Sequence, residues 1–325
     1  MKKILFSSLA LLMGCMQLHA VDNNVVEIAY NGSSATVAIA DNIASYVTAT
    51  TNGAHVTIVQ TNTADVDGLE ITYSLSGTST DGEFYLTGSY KCTVSLNNLT
   101  LTNPSGAAIS IYNGKRIKVK AETDTNNTLT DGSGTQKGCL YVKGHLELRG
   151  YGTLNVTGNY AHAIKSGEYM SVKNCTVNVL SAVKDAMNCN EYFLMEGGTV
   201  NIQNAGDDGI QCDIDNTAGV STGETTDHAD EDSGNVYLLD GTLNISLAGA
   251  STGSLIKAGN EFVWTGGTYN GESTGIEEME ASPSANGQSA ASQYFDLNGR
   301  RLSASSLSKG ICIIKQNSKT TKVIK

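Results

Sequence analysis

Five short segments of the chain repeat one phrase: Gly152-Thr153-Leu154-Asn155-Val156, Cys175-Thr176-Val177-Asn178-Val179, Gly198-Thr199-Val200-Asn201-Ile202, Gly241-Thr242-Leu243-Asn244-Ile245 and Gly267-Thr268-Tyr269-Asn270. Their threonines stand 23, 23, 43 and 26 residues apart. A period near 23, with roughly 20 residues inserted once, marks stacked repeats. Within each repeat the apolar positions are two apart, as in Leu154 and Val156, which is how a strand buries one face. Gly, Asn, Asp and Ser fill the gaps as turn residues. So short a unit cannot bury its apolar face alone and must stack on its neighbours. The pattern predicts a parallel β-solenoid.

Composition fits many tight turns and an aliphatic core. Glycine accounts for 35 of 325 residues, proline for 2 and aromatics for 6%. The net charge of -11 argues against nucleic acid, whose phosphates need basic patches, and permits divalent cations. Before the repeats, Val25 to Tyr30, Ala35 to Ile39 and Val56 to Val59 alternate apolar and polar residues around Asn31-Gly32 and Asn52-Gly53, good hairpin turns. Residues 21–92 therefore read as an N-terminal β cap on a β-helix over residues 93–275, because a solenoid needs its ends covered.

The two ends of the chain differ from the body. Met1-Lys2-Lys3 and the apolar run Ile4 to Met16 read as a secretory signal peptide over residues 1–20, cleaved after Ala20. Leu12-Met13-Gly14-Cys15 offers the alternative of a lipidated Cys15. No other stretch approaches the ~18 apolar residues of a membrane span. Residues 276–292, acidic and then Ser/Ala-rich, read as a linker. Tyr294 to Leu302, Lys309 to Lys315 and Lys322 to Lys325 then read as a small all-β module over residues 293–325. This tail resembles the C-terminal sorting domain of the type IX secretion system, with Cys312 in place of the usual tyrosine. The resemblance implies passage through that secretion machinery to the bacterial cell surface or the medium.

Counting from each repeat threonine arranges equivalent residues in columns. His162, Asp185 and Asp208 share one column, joined by Ser254 if three extra residues are allowed. Lys165, Asn188, Gln211 and Lys257 share another. Adjacent strands lie ~4.8 Å apart, so Asp185 and Asp208 stack closely and repel unless a positive group stands between them. Calcium takes roughly 6–8 oxygen ligands, and Asp185, Asp207, Asp208 and Asp213 with Asn188 or Asn190 supply that chemistry. Ordinary turn residues, with Lys184 as neutralising partner, are the competing reading. The insertion from Asp215 to Asn235 holds a second acidic group, including Asp230 and Asp232, which reads either as another calcium cluster or as a solvated loop. Tyr169 and Tyr192 also share a column and would stack on sugars if exposed. Cys189 and Cys212 share a column of small residues, consistent with a disulfide or with buried thiols.

The stretch from about Val21 to Gly275 resembles a family of secreted bacterial β-helix carbohydrate-binding proteins. The matching phrases include Gly88-Ser89-Tyr90-Lys91-Cys92-Thr93, Asn126 to Gly132, Lys143-Gly144-His145-Leu146, His162-Ala163-Ile164-Lys165-Ser166, Val183-Lys184-Asp185-Ala186 and Gly206-Asp207-Asp208-Gly209-Ile210-Gln211. Ala186 departs from the glycine common there. The resemblance implies an all-β fold, a right-handed parallel β-helix, with bound calcium and a polysaccharide ligand, polygalacturonate or cellulose.

Three functions follow as expectations. The leading one is calcium-dependent, non-catalytic binding of a plant cell-wall polysaccharide, with Lys165, His162, Tyr169 and Tyr192 as ligand contacts and calcium bridging two anionic partners. The second is a calcium-dependent polysaccharide lyase in which Lys165 or Lys184 is the base. Neighbouring carboxylates are expected to raise the lysine pKa, against that role. The third is a surface adhesin in which the repeats only supply length.

Overall fold

The computed structural model describes residues 21–214 and 233–270, with the backbone of short strands between 272 and 324. The leader with Cys15, most of the acidic insertion with Asp230 and Asp232, and the linker lie outside the described residues. Among the described residues no helix is long and apolar enough to cross a membrane.

The repeat phrase fixes a parallel register. Thr153, Thr176, Thr199, Thr242 and Thr268 are successive Cα partners, and the long insertion leaves the Thr199–Thr242 step in place. Alternation then turns Leu154, Val177, Val200 and Leu243 into the core, where they stack as a buried aliphatic ladder. The intervening asparagines face outward and bond one another. Asn178 donates to Asn155, Asn201 to Asn178 and Asn244 to Asn201, each at 2.9 Å. Glycine opens three of these repeats at positive φ, at Gly198, Gly241 and Gly267, for a backbone reason. At Gly198, φ is +85° and a Cβ would stand 2.4 Å from the Cys175 carbonyl oxygen.

The architecture built on this register corrects one expectation. Eight strands (Cys92–Asn103, Ile117–Ala121, Asn126–Asp131, Leu146–Gly150, Thr153–Gly158, Met170–Val172, Thr176–Ala182 and Phe193–Ala205) pair in parallel around a closed path. The path closes because two long strands pair twice. Cys92–Asn103 bonds Ile117–Ala121 through its first half and Asn126–Asp131 through its second. Phe193–Ala205 does the same with Met170–Val172 and Thr176–Ala182. The result is a closed eight-strand parallel barrel with a second sheet beside it, and not the right-handed parallel β-helix expected from the sequence. A 23-residue period dictates which residues become neighbours in adjacent strands. It is silent on whether a strand stops at a turn or runs through it, and here two strands run through.

The second sheet has nine strands, in the order Ile256–Ala258, Ile210–Cys212, Met187–Cys189, His162–Ser166, Gly138–Val142, Ile109–Tyr112, Gly82–Thr87, Ala54–Gln60 and Val47–Asn52. The antiparallel hairpins turning at Gly32 and Gly53, both at positive φ, place Ser34–Ile39 and Val47–Asn52 at the sheet margins. The core is aliphatic; Tyr73, Phe84 and Phe193 are its fully buried large rings among the described residues. Four C-terminal strands, Gln293–Phe295, Arg301–Leu302, Ile311–Gln316 and Lys319–Ile324, form a separate antiparallel sheet.

Candidate functional site

On the second sheet, Ile109, Leu140, Ile164, Met187 and Ile210 point into the core. Their neighbours therefore face outward and line up across seven strands: Tyr85, Ser110, Tyr141, Lys165, Asn188, Gln211 and Lys257 are successive register partners. The last four are the column read from the spacing. The first three escape that reading because their strands follow one another at 25, 31 and 24 residues rather than at the repeat period.

Beside Lys165 opens a cleft of about 500 Å³. Lys137, Lys165, Lys184 and His162 line it with basic nitrogens, and Gln136 and exposed Tyr160 complete its polar wall. Lys165 is only 9% exposed, and its ammonium donates to the Oδ1 atoms of Asn188 and Asn190. Burial pushes its pKa below the ordinary lysine value, helped by the like charge of Lys137 and opposed by Cys189, Asp213 and Asp185. The sequence-based expectation of a raised pKa is thus reversed, because loss of hydration outweighs the acidic neighbours. The Lys137 ammonium stands 5.4 Å over the Tyr141 ring.

The acidic column sits next to this cleft. Asp185, Asp207 and Asp208 bring carboxylate oxygens within 4.8 Å of one another, with Asp185 and Asp208 buried and Asp207 exposed. Asp185 accepts from the Asp208 backbone N–H at 3.2 Å and from Asn188 at 2.7 Å, and lies 3.3 Å from His162 Nδ1. Asp208 accepts from the Ser254 N–H at 2.7 Å, so Ser254 does join the column, and from Lys257 Nζ at 2.9 Å. Burial raises the Asp185 pKa, yet the bonds from His162 and Asn188 outweigh it and hold the carboxyl below its ordinary value. The bond to Asp208 holds the Lys257 ammonium above its own.

This donor set fits a hard divalent cation. It is all oxygen, carries three carboxylates, and already draws an ammonium to Asp208. Of the other expected ligands, Asn190 is turned to Lys165 and Asp213 accepts from Gln211 at 2.6 Å.

Tyr169 and Tyr192 are brought together, but buried. His145, Tyr169 and Tyr192 form a stack with ring centroids 4.4 and 5.0 Å apart and planes within 13°, and all three are buried. Their faces are covered by one another. Next to them a second metal-compatible group, His145, Glu168 and Glu191, lies within 4.8 Å. Sequence reasoning missed it although its members are 23 residues apart, the repeat period itself. Cys189 and Cys212 are buried register partners with Sγ atoms 3.1 Å apart as free thiols.

Known proteins share parts of this sequence and this fold. The sequence profile of the carbohydrate-binding domain-containing proteins matches residues 52–318. A carbohydrate-binding domain-containing protein of Acetivibrio thermocellus is 22% identical over 140 residues, 36% of this chain and 49% of that protein. The chain thus spans about half the length of the curated relative it matches. The fold is shared with a polysaccharide lyase-like protein from C. thermocellum, solved as a gadolinium derivative. That structure superposes with a TM-score of 0.56 at 19% identity, over 75% of this chain and 98% of its own.

Proposed function

Because the chain belongs to the carbohydrate-binding domain-containing protein family, we propose that it binds, without cleaving, an acidic plant cell-wall polysaccharide of the polygalacturonate kind. One observation carries this reading. A protein of net charge -11 gathers three lysines, Lys137, Lys165 and Lys184, with His162 beside them, around a cleft at the turns that lead into the second-sheet strands. Like charges are costly to assemble, and a bound anion relieves that cost. A uronate carboxylate would meet the lysine ammonium groups, while the sugar hydroxyls would find Gln136 and Tyr160.

Calcium belongs to this reading as a second element, held by Asp185, Asp207 and Asp208. Bound there, the ion supplies the divalent charge through which an anionic protein attracts an anionic polymer. Lys257 is its competitor, since its ammonium already sits on Asp208. The leader and the sorting-like tail support placing the protein at the cell surface or in the medium, where such polymers are met.

A lyase is the second reading, favoured by the lowered pKa of Lys165. Against it, Asn188 and Asn190 both accept from the lysine nitrogen and so favour the ammonium over the neutral amine that a base requires, while the third N–H is left for a ligand carboxylate. The deciding experiment is calorimetric titration of polygalacturonate into the full chain, with chelator and then with calcium, while absorbance at the unsaturated-uronate band is recorded. Binding with flat absorbance supports the proposal. Rising absorbance replaces it with the lyase, and no binding of any glycan leaves the adhesin.

A further inference from the structure

The outward column of the second sheet continues past the cleft into a group of tyrosines that neither the repeat nor the proposed site uses. Ser110 stands in register between Tyr85 and Tyr141. Its small side chain leaves a gap in the column. Tyr112, two residues on and therefore on the same face, leans its ring into that gap. The Tyr112 ring centroid lies 5.4 Å from that of Tyr85, tilted 34°, and 5.3 Å from that of Tyr141 in an edge contact at 67°. Tyr141 is buried beneath, whereas Tyr112 is 45% exposed. A ring braced on two sides by others, yet nearly half open to solvent, is a rigid apolar surface that loses little entropy on binding.

Its position gives the surface a use. Lys137 lines the cleft and also stands 5.4 Å over the Tyr141 ring, so cleft and tyrosines share a border. The strand carrying Tyr112 is two steps from the strand carrying Lys165, about 10 Å at normal strand spacing. One sugar ring does not span that gap, but an oligosaccharide lying across the strands does. We propose that Tyr112, braced by Tyr85 and Tyr141, is a stacking subsite for a sugar ring further along the polymer whose carboxylate occupies the lysine-lined cleft. The ligand is then an acidic oligosaccharide of several units, bound by charge at one end and by the C–H face of a pyranose at the other. The inference rests on the cleft reading for the acidic character of the polymer, and on the tyrosine geometry alone for the subsite.

The test is calorimetry on the full chain, in chelator and then in calcium, with galacturonate, trigalacturonate, hexagalacturonate and cellohexaose as ligands. Wild type, Tyr112→Ala, Tyr112→Phe and Lys165→Met are compared. The expected result is a hexamer bound about tenfold more tightly by wild type and by Tyr112→Phe than by Tyr112→Ala, with monomer affinity unchanged. Lys165→Met weakens monomer and hexamer alike. If Tyr112→Ala leaves the length preference intact, or weakens the monomer equally, the subsite is overturned while the cleft stands. If no galacturonide binds but cellohexaose does, and Tyr112→Ala abolishes it, the subsite stands and the cleft reading falls. An absence of any Tyr112 effect on any glycan overturns the subsite outright. Tyr112→Phe guards against misfolding, since it keeps the ring and removes only the hydroxyl.

Discussion

The outer face of the barrel and the outer face of the second sheet are built on the same register and used differently. On the barrel and the strand that pairs with it beyond, Asn155, Asn178, Asn201 and Asn244 repeat one side chain in register, each amide oxygen accepting from the next, and Asn126, diagonal to Asn155, accepts from it. Charges there are also paired. Glu70 holds Arg116 at 2.6 Å and Lys118 at 3.0 Å, and Glu196 lies 3.7 Å from Arg149 and 3.4 Å from Lys173. On the second sheet the chemistry changes at nearly every step, from Tyr85 to Lys257, and cations gather at the cleft. A column of identical amides satisfies itself, because each is donor and acceptor at once. A mixed column bonds to neighbours beside it, as Lys257 does to Asp208 and Gln211 to Asp213, and still offers an outside partner unlike groups, ammonium and aromatic ring, in one line. The uniform face holds strands together and the mixed face is suited to recognition.

Separating the two roles is the sharpest way to break this comparison. Lys165→Met is expected to weaken polygalacturonate binding roughly 30- to 100-fold, the worth of a charge-assisted bond, while thermal unfolding changes little. Equal losses of binding and stability would show the second face to be structural as well.

On the barrel the expected effect is one of pH. The Glu70 carboxyl is pushed up by burial, but its bonds from Thr93, Lys118 and Arg116 prevail and bring its pKa from 4.5 to about 2. A folded pKa below the unfolded one stabilises the protein above the unfolded value, and that gain is lost as pH falls through the folded one. The difference in unfolding free energy between wild type and Glu70→Gln, on the order of 2 kcal/mol at neutral pH, should therefore shrink between pH 4.5 and 2. Denaturant titrations across that window check it.

Asn178→Ala removes one bond to Asn155 and one from Asn201. It should cost about 1–2 kcal/mol of stability and leave glycan affinity unchanged, the mirror image of Lys165→Met. A fall in affinity would mean that the asparagine face also touches ligand.

The smallest effect is expected at the acidic column. Lys257→Met frees Asp208 of an ammonium that is half exposed, so calcium affinity should rise only by roughly threefold in a calorimetric titration. A fall instead would make Lys257 part of the site rather than its competitor.

Much of this molecule is legible in its amino-acid sequence. The repeat phrase by itself determined the parallel register of the threonines and the inward aliphatic ladder. It also put Lys165, Asn188, Gln211 and Lys257 in one line and Asp185 beside Asp208. These are nearest-neighbour facts, and a period of 23 encodes nearest neighbours directly. The same period also contained His145, Glu168 and Glu191, unseen because they lie off the repeated phrase. Only the tertiary structure decided the rest. Closure of the barrel depends on Cys92–Asn103 and Phe193–Ala205 running through a turn and pairing twice, which spacing cannot express. Tyr85, Ser110 and Tyr141 join the lysine column from strands with irregular spacing. Tyr169 and Tyr192 face each other rather than solvent. The pKa of Lys165 falls because burial, a property of the whole fold, outweighs the charges that the sequence sets nearby.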